Sequence, residues 1–193
     1  CKKTWKNEDG KQKVHYSEQD PVKQVGAHSF TINHELFLQW YKKLDNKDID
    51  VMLEVKDKNI SALKISHCVN QNLKNKSLEI SWEKYKYKVL EHSPVIHDQI
   101  IELLKSKKCT ALDFYQLIDL SLKQKLVLSN QISTVIQVWY NYEQDKKTKS
   151  AFLKRLKKVE DGSMSIKLMK NYLYNLAVKN QDAYLLSSYY FAF

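Results

Sequence analysis

Glycine and proline are scarce in this chain, three and two among 193 residues. That scarcity excludes collagen-like and Pro/Gly-rich disordered classes and leaves little to interrupt helices and strands. Cysteine is equally sparse. Cys1, Cys68 and Cys109 are an odd number without metal-type spacing, so a disulfide framework is not expected and a reducing, cytoplasmic setting is. No run of about 18 apolar residues occurs and no signal peptide is recognisable, so a soluble protein without a membrane partner is expected. Acidic residues are outnumbered, 22 Asp plus Glu against 32 Lys plus Arg, which gives a net charge of +10. Such a balance favours phosphate polyanions as partners, although a solvated lysine-rich surface accounts for it equally well. What is abundant is core material: 43% hydrophobic and 11% aromatic residues, enough for one ordinary domain or two small ones.

The first residue is Cys1 rather than Met, and "CKKTWKNEDGKQKVH" reads as the end of a helix and the turn before a strand. The sequence is therefore expected to be part of a longer chain. Residues 13–17 have the β-prone character of a short strand, followed by a loop marked by "QDP" and "VGAH". Asn33 is placed to cap a helix in "HELFLQWYKKLD", where Leu36, Phe37, Trp40, Tyr41 and Leu44 recur at helical spacing. "IDVMLEVK" is an apolar run of strand length interrupted by Glu54, as in a buried parallel strand. "DKNISALKISHCV" then reads as a helix with Ile60, Leu63, Ile65 and Cys68 inward. The order strand, helix, strand, helix makes one crossover unit of an α/β fold. From about Trp82 onward every apolar segment has three- and four-residue spacing, so an all-α domain is expected, with Pro94 in the first turn of a helix and Gly162 at a helix stop. The boundary is placed near residue 77, in the aperiodic stretch "NQNLKNKSLEIS".

Alternation along a strand puts Lys13 and His15 on one face and Val14 and Tyr16 on the other. In the second strand Met52, Glu54 and Lys56 oppose Val51, Leu53 and Val55. In a parallel barrel the Val and Leu face would pack on the outer helices, and His15 and Glu54 would converge inside, near the strand ends where barrel enzymes keep their chemistry, with His28 supplied by the following loop. Imidazole and carboxylate suit Zn, Mn or Fe, and a carboxylate in an apolar strand needs a partner or a cation. By themselves two His and one Glu without fixed local spacing are a weak metal signal, and the commoner reading is a satisfied core imidazole at His15, a loop residue at His28, and a salt bridge from Glu54 to Lys13 or Lys56.

"TWKNEDGKQKVHYSEQDPVKQVGAHSFTI" together with "DVMLEVKDKNISALK" resembles the C-terminal part of the UV damage endonuclease family, metal-dependent DNA repair nucleases on a TIM-type barrel. The resemblance covers roughly residues 1–76. It implies that the region is the last two βα units of such a barrel, and that His15, His28 and Glu54 are ligands in a cluster of divalent metal ions, Mn or Zn. It also implies a catalytic role for Lys13 at the metal site, as a lysine open to carboxylation. Lys23 and Lys56 are candidates for phosphate contacts to damaged duplex DNA, against the commoner case of solvated lysines. Two strands cannot close a barrel. The remaining ligands would lie upstream, so nuclease activity is expected of the intact parent and not of these residues alone.

"WEKYKYKVLEHSPVIHDQIIELL", "NQISTVIQVWYNY" and "MKNYLYNLAVKNQDAYLLSSYYFAF" resemble the YbgA-like helical domain, over roughly residues 79–193. Lys86, His92 and Ser93 are the candidate site residues that this resemblance implies, with simple capping before Pro94 as the alternative for His92. Trp139, Tyr140 and Tyr142 could stack on bases, but aromatics at helical spacing more often form core. "KKTKSAFLKRLKK" could follow a phosphate backbone, or be an ordinary solvated basic face. Two rivals to the nuclease reading stand: a non-catalytic helical module that binds nucleic acid or a partner protein, and a small structural protein whose sheet edge another chain completes.

Overall fold

The computed structural model describes residues 4–70, 72–106, 108–142 and 146–192. The chain divides into two compact units, Cys1–Leu73 and Lys74–Phe193.

In the first unit two short parallel strands, β1 (Lys13–Ser17) and β2 (Asp50–Glu54), pair with Lys13 opposite Asp50 and Ser17 opposite Glu54. Between them lies α1 (His34–Lys42), and α2 (Asn59–Val69) follows. The Asn33 side chain accepts hydrogen bonds from the Glu35 and Leu36 amides, which satisfies donors that the first turn of α1 cannot pair internally. Both helices are held to the sheet by one apolar cluster. Ile32, Phe37 and Ile65 are buried in it, with Tyr16, Trp40, Val51, Leu53 and Val55 packed around them. The Tyr16 ring lies 4.9 Å from both Phe37 and Trp40. The alternation therefore falls as expected, with the Tyr16, Val51, Leu53 face inward and Lys13 and His15 on the other face. One burial goes against residue type. Lys64 is 1% exposed, and its ammonium donates to Thr31 Oγ1 at 3.0 Å.

Every regular element described in the second unit is a helix: α3 (Asn75–His92), α4 (Pro94–Lys105), α5 (Ala111–Leu122), α6 (Leu128–Trp139), α7 (Lys146–Glu160), α8 (Ile166–Lys179) and the single turn α9 (Ala183–Leu186). The long α3 is the centre, with α4, α5 and α6 packed against it, while α8 meets α6, α7 and α9. No described helix is long and apolar enough to cross a membrane. Pro94 occupies the first turn of α4, and Gly162, at φ +77°, turns the chain after α7.

Three boundaries differ from the periodic reading. The first helix starts at Asn75, inside the stretch expected to be a linker, because Leu78 and Ser81 bury there. The α5 pattern continues to Leu128 in sequence but the helix stops at Leu122, where the Gln124 carbonyl instead meets the His92 ring. After α9 the chain turns back, the Tyr189 amide donating to the Lys84 carbonyl and Tyr190 becoming fully buried.

Two of the three aromatics considered for base stacking are core. Trp139 and Tyr142 are 3% and 6% exposed, and the Trp139 ring stacks on Phe152 at 4.1 Å, whereas Tyr140 is open to solvent. Among the described cysteines, neither Cys68 nor Cys109 is in a disulfide; Cys1 lies outside the described residues.

Phe152→Ala is expected to cost about 3–5 kcal/mol in urea denaturation, since it leaves a void against Trp139, while Tyr140→Ala should stay within about 0.5 kcal/mol of the parent. Burial pushes the Cys109 thiol up to about 11. At pH 8 it should therefore be alkylated by iodoacetamide roughly a hundredfold or more slowly than a free thiol, as read by mass spectrometry of the native protein.

Candidate metal centre

The twelve residues after β1 form a tight excursion that brings the chain back to the strand it left. The Ser29 amide donates to the Glu18 carbonyl and the Asp20 amide to the Ala27 carbonyl, while Gln19 and His28 pair in an antiparallel bridge. Gln19 fastens the inside of the loop: its side chain accepts from the Gly26 amide at 2.8 Å and donates to the Gln24 carbonyl at 3.0 Å. Gly26, at φ +89°, makes the turn in a backbone region that side chains rarely adopt. His28 is thus returned beside the end of β1. Parallel pairing places Glu54, the last residue of β2, opposite Ser17 and diagonal to His15.

These positions bring His15, His28 and Glu54 together. The His15 Nδ1 and Glu54 Oε1 atoms are 2.5 Å apart, and the His28 Nε2 atom is 3.8 Å from Glu54 Oε2. The first distance is a short hydrogen bond. The second is too long for one, and approaches the span kept by two atoms each about 2.1 Å from a shared ion. Donation from His15, opposed in part by desolvation, holds the Glu54 carboxyl below its usual range. Glu54 does not pair with Lys13 or Lys56. Lys13 is exposed two residues before His15 on the same strand. Imidazole nitrogens and a carboxylate are the right donor set for Zn or Mn in kind. As arranged they are not a complete centre: among the described residues no group of three or more His, Cys, Asp or Glu side chains could hold a metal ion. The His15–Glu54 hydrogen bond holds those two atoms closer than co-ligands of one ion sit.

Lys23 and Lys56 meet at a residue that sequence reasoning passed over. The Asp20 carboxylate, 11% exposed, lies 3.4 Å from Lys23 Nζ and 3.9 Å from Lys56 Nζ. The neighbouring Lys23 ammonium pushes Lys56 below the ordinary lysine value. Two cations on one carboxylate leave a net positive charge beside the His28 loop. Nothing in the sequence marked Asp20 as their anchor, since "QDP" reads only as a turn.

The helical candidates are not gathered in this way. Lys86 lies over the rings of Tyr87 and Tyr184, 4.7 and 5.0 Å from their centroids. His92, six residues along the same helix and so on a different face, donates through Nδ1 to the Gln124 carbonyl at 2.9 Å if that nitrogen carries the proton. Ser93 caps α4 by accepting from the Ile96 amide. Sequence reasoning missed their neighbour Glu91, which is 1% exposed and paired with Lys88 and Lys170. A glutamate in a helix of mixed polarity carries no signal of burial.

Comparison with known proteins gives two kinds of match. The chain is 38% identical over 131 residues to a UV DNA damage endonuclease of Clostridium perfringens, a match covering 66% of this chain and 30% of the relative. It is 44% identical over 64 residues to a putative UV-damage endonuclease of Acanthamoeba polyphaga mimivirus, covering 32% of this chain and 19% of the relative. The chain thus spans less than a third of the length of either relative. No solved structure matches. The similarity ties the protein to proteins named as UV-repair endonucleases. Residues 86–193, more than half of its length, match the family described as protein of unknown function (DUF1722), and the chain belongs to that family.

Proposed function

We propose that residues 1–76 are the last two βα units of a TIM-type barrel in a metal-dependent UV damage endonuclease, and that residues 79–193 are a YbgA-like helical domain fused to it. The observation that carries this reading is the meeting of His15, His28 and Glu54, residues from two strands and a loop, around one carboxylate. Support also comes from the Clostridium perfringens relative, whose 131-residue match is longer than either compact unit and so extends across both. In this reading the intact parent, located in the cytoplasm, incises damaged duplex DNA. The 193 residues alone would be inactive, because the two described strands do not close a barrel.

Within the site, His15 donates Nδ1–H to Glu54, which fixes the ring and leaves the Nε2 lone pair free for a cation. His28 and Glu54 Oε2 supply further donors, and residues outside this chain would complete the set. Bound Mn or Zn would neutralise the phosphodiester and acidify an attacking water. Lys13, exposed beside His15, is the proposed catalytic lysine. Lys23 and Lys56, held by Asp20, contribute the positive charge that positions the DNA backbone without reading its sequence. Lys86, His92 and Ser93 remain the candidate residues of the helical domain.

In the intact parent protein, His15→Ala and Glu54→Gln should each weaken Mn(II) or Zn(II) binding at least about tenfold by titration calorimetry and abolish incision of UV-irradiated duplex. Lys23→Gln should leave metal affinity unchanged and reduce the salt dependence of DNA binding by about one unit of slope. Metal affinity unaltered in both of the first two variants would overturn the assignment.

A further inference from the structure

We propose that the outer face of α7 is a docking surface for the phosphate backbone of duplex DNA, formed by Lys146, Lys147, Lys154, Lys157 and Lys158. The surface lies in the helical unit and is independent of the metal centre proposed above.

Only one side of α7 is committed to packing. Phe152 and Val159, each 2% exposed, enter the core of the second unit, and Leu156 packs against it from the turn between them. At 3.6 residues per turn the five lysines fall within an arc of about 120° on the opposite side, and all five are exposed. The fifteen residues of α7 hold seven cations and one carboxylate, that of Glu160 at the last position, a net +6 of the chain's +10.

Helix stability does not account for this placement. Lys146, Lys147 and Lys149 occupy the start of the helix, where the dipole favours anions, and the first turn has no acidic residue. Lys154 has Lys157 and Lys158 three and four residues further on, a spacing at which like charges oppose one another. None of the five lysines forms an ion pair among the described residues. Asp161 accepts from the Ser163 amide at 2.9 Å, and this bond, with the charges of Lys157 and Lys158 added, holds its carboxyl below the usual range. An ordinary solvated face mixes signs; this one carries a single sign over three turns.

The chemistry of the face selects its partner. Lys146 and Lys158 are about 18 Å apart along the axis, a length over which one strand of a duplex presents about five phosphates. Besides lysines the face holds only Ser150, so it offers no guanidinium or side-chain amide to base edges and no ring on which an unpaired base would stack. Arg155 stands to one side, its guanidinium 4.3 Å over the Tyr172 ring and donating to the Ala151 carbonyl. Lys154, Arg155, Lys157 and Lys158, with Asp161 and Met164, line a cavity of about 590 Å³, which gives the end of the face a concave seat for a backbone. An anionic membrane fits less well. Leu153 is the one large apolar residue of α7 that is exposed, so no apolar face is left to enter lipid.

The test uses the full chain in EDTA, with fluorescence anisotropy of a labelled, unirradiated duplex of about 20 base pairs, long enough to span the face. Binding is expected to weaken about fortyfold or more between about 50 and 200 mM NaCl, as three or more phosphate contacts require. The triple variant Lys154→Gln, Lys157→Gln, Lys158→Gln should lose about two to three units of the salt slope and bind at least about tenfold more weakly at low salt, with a circular dichroism spectrum that matches the parent. A second triple variant, Lys123→Gln, Lys125→Gln, Lys179→Gln, removes the same charge from other exposed positions of the helical unit and should change the slope by less than about one unit. No duplex binding tighter than about 100 μM at low salt, equal losses in the two triple variants, or tighter binding to a single strand or to phosphatidylserine vesicles than to the duplex would each overturn the proposal. Because metal is absent and the variants lie outside residues 1–76, none of these results bears on the metal centre.

Discussion

A carboxylate set among apolar neighbours must be met by a proton donor or a cation, because water is no longer there to stabilise its charge. Glu91 in the second unit meets it in full, whereas Glu54 in the first, its side chain 35% exposed, keeps part of its water. In the first, Glu54 ends a strand whose alternate residues build the core, and two imidazoles come to it from a strand and a returning loop. In the second, Glu91 sits on the central helix and draws a lysine from the preceding turn and another from α8. The residues that gather around each carboxylate are the ones with chemistry to offer.

The two solutions differ in the groups that do the pairing. Around Glu54 the partners are titratable ring nitrogens, neutral in the form that binds metals, and the hydrogen bond from His15 holds the carboxyl in its charged state. Around Glu91 the partners are two ammonium groups, those of Lys88 and Lys170, which are themselves largely withdrawn from water. The chain is similar to proteins named as UV-repair endonucleases and belongs to the DUF1722 family.

Much of the local structure could be read before the fold was seen. Asn33 capped its helix, Pro94 and Gly162 stood at a start and a stop, and the Val51, Leu53 face turned inward, since each depends on interactions within a few residues. The errors came where distant residues intervened. The α5 pattern ran on past Leu122, but the Gln124 carbonyl was taken by a histidine from another helix. The closing aromatics kept helical spacing, yet Tyr189 is fastened to Lys84, over a hundred residues earlier. Trp139 and Tyr142 had the composition of a base-stacking surface and the position of a core.

What the sequence by itself determined is periodicity, capping and the face on which each side chain stands, because these follow from backbone geometry over one or two turns. His15 and Glu54 were therefore assignable to the same face of their strands from the order of residues alone. Only the tertiary structure decided which charges meet. Glu54 pairs with His15 and His28 and not with Lys56 two residues away, Asp20 collected Lys23 and Lys56, and Glu91 vanished from solvent between Lys88 and Lys170. The reason is that pairing depends on distances of a few ångströms and on the loss of water at the point of contact, and both are set by how elements far apart in the chain pack.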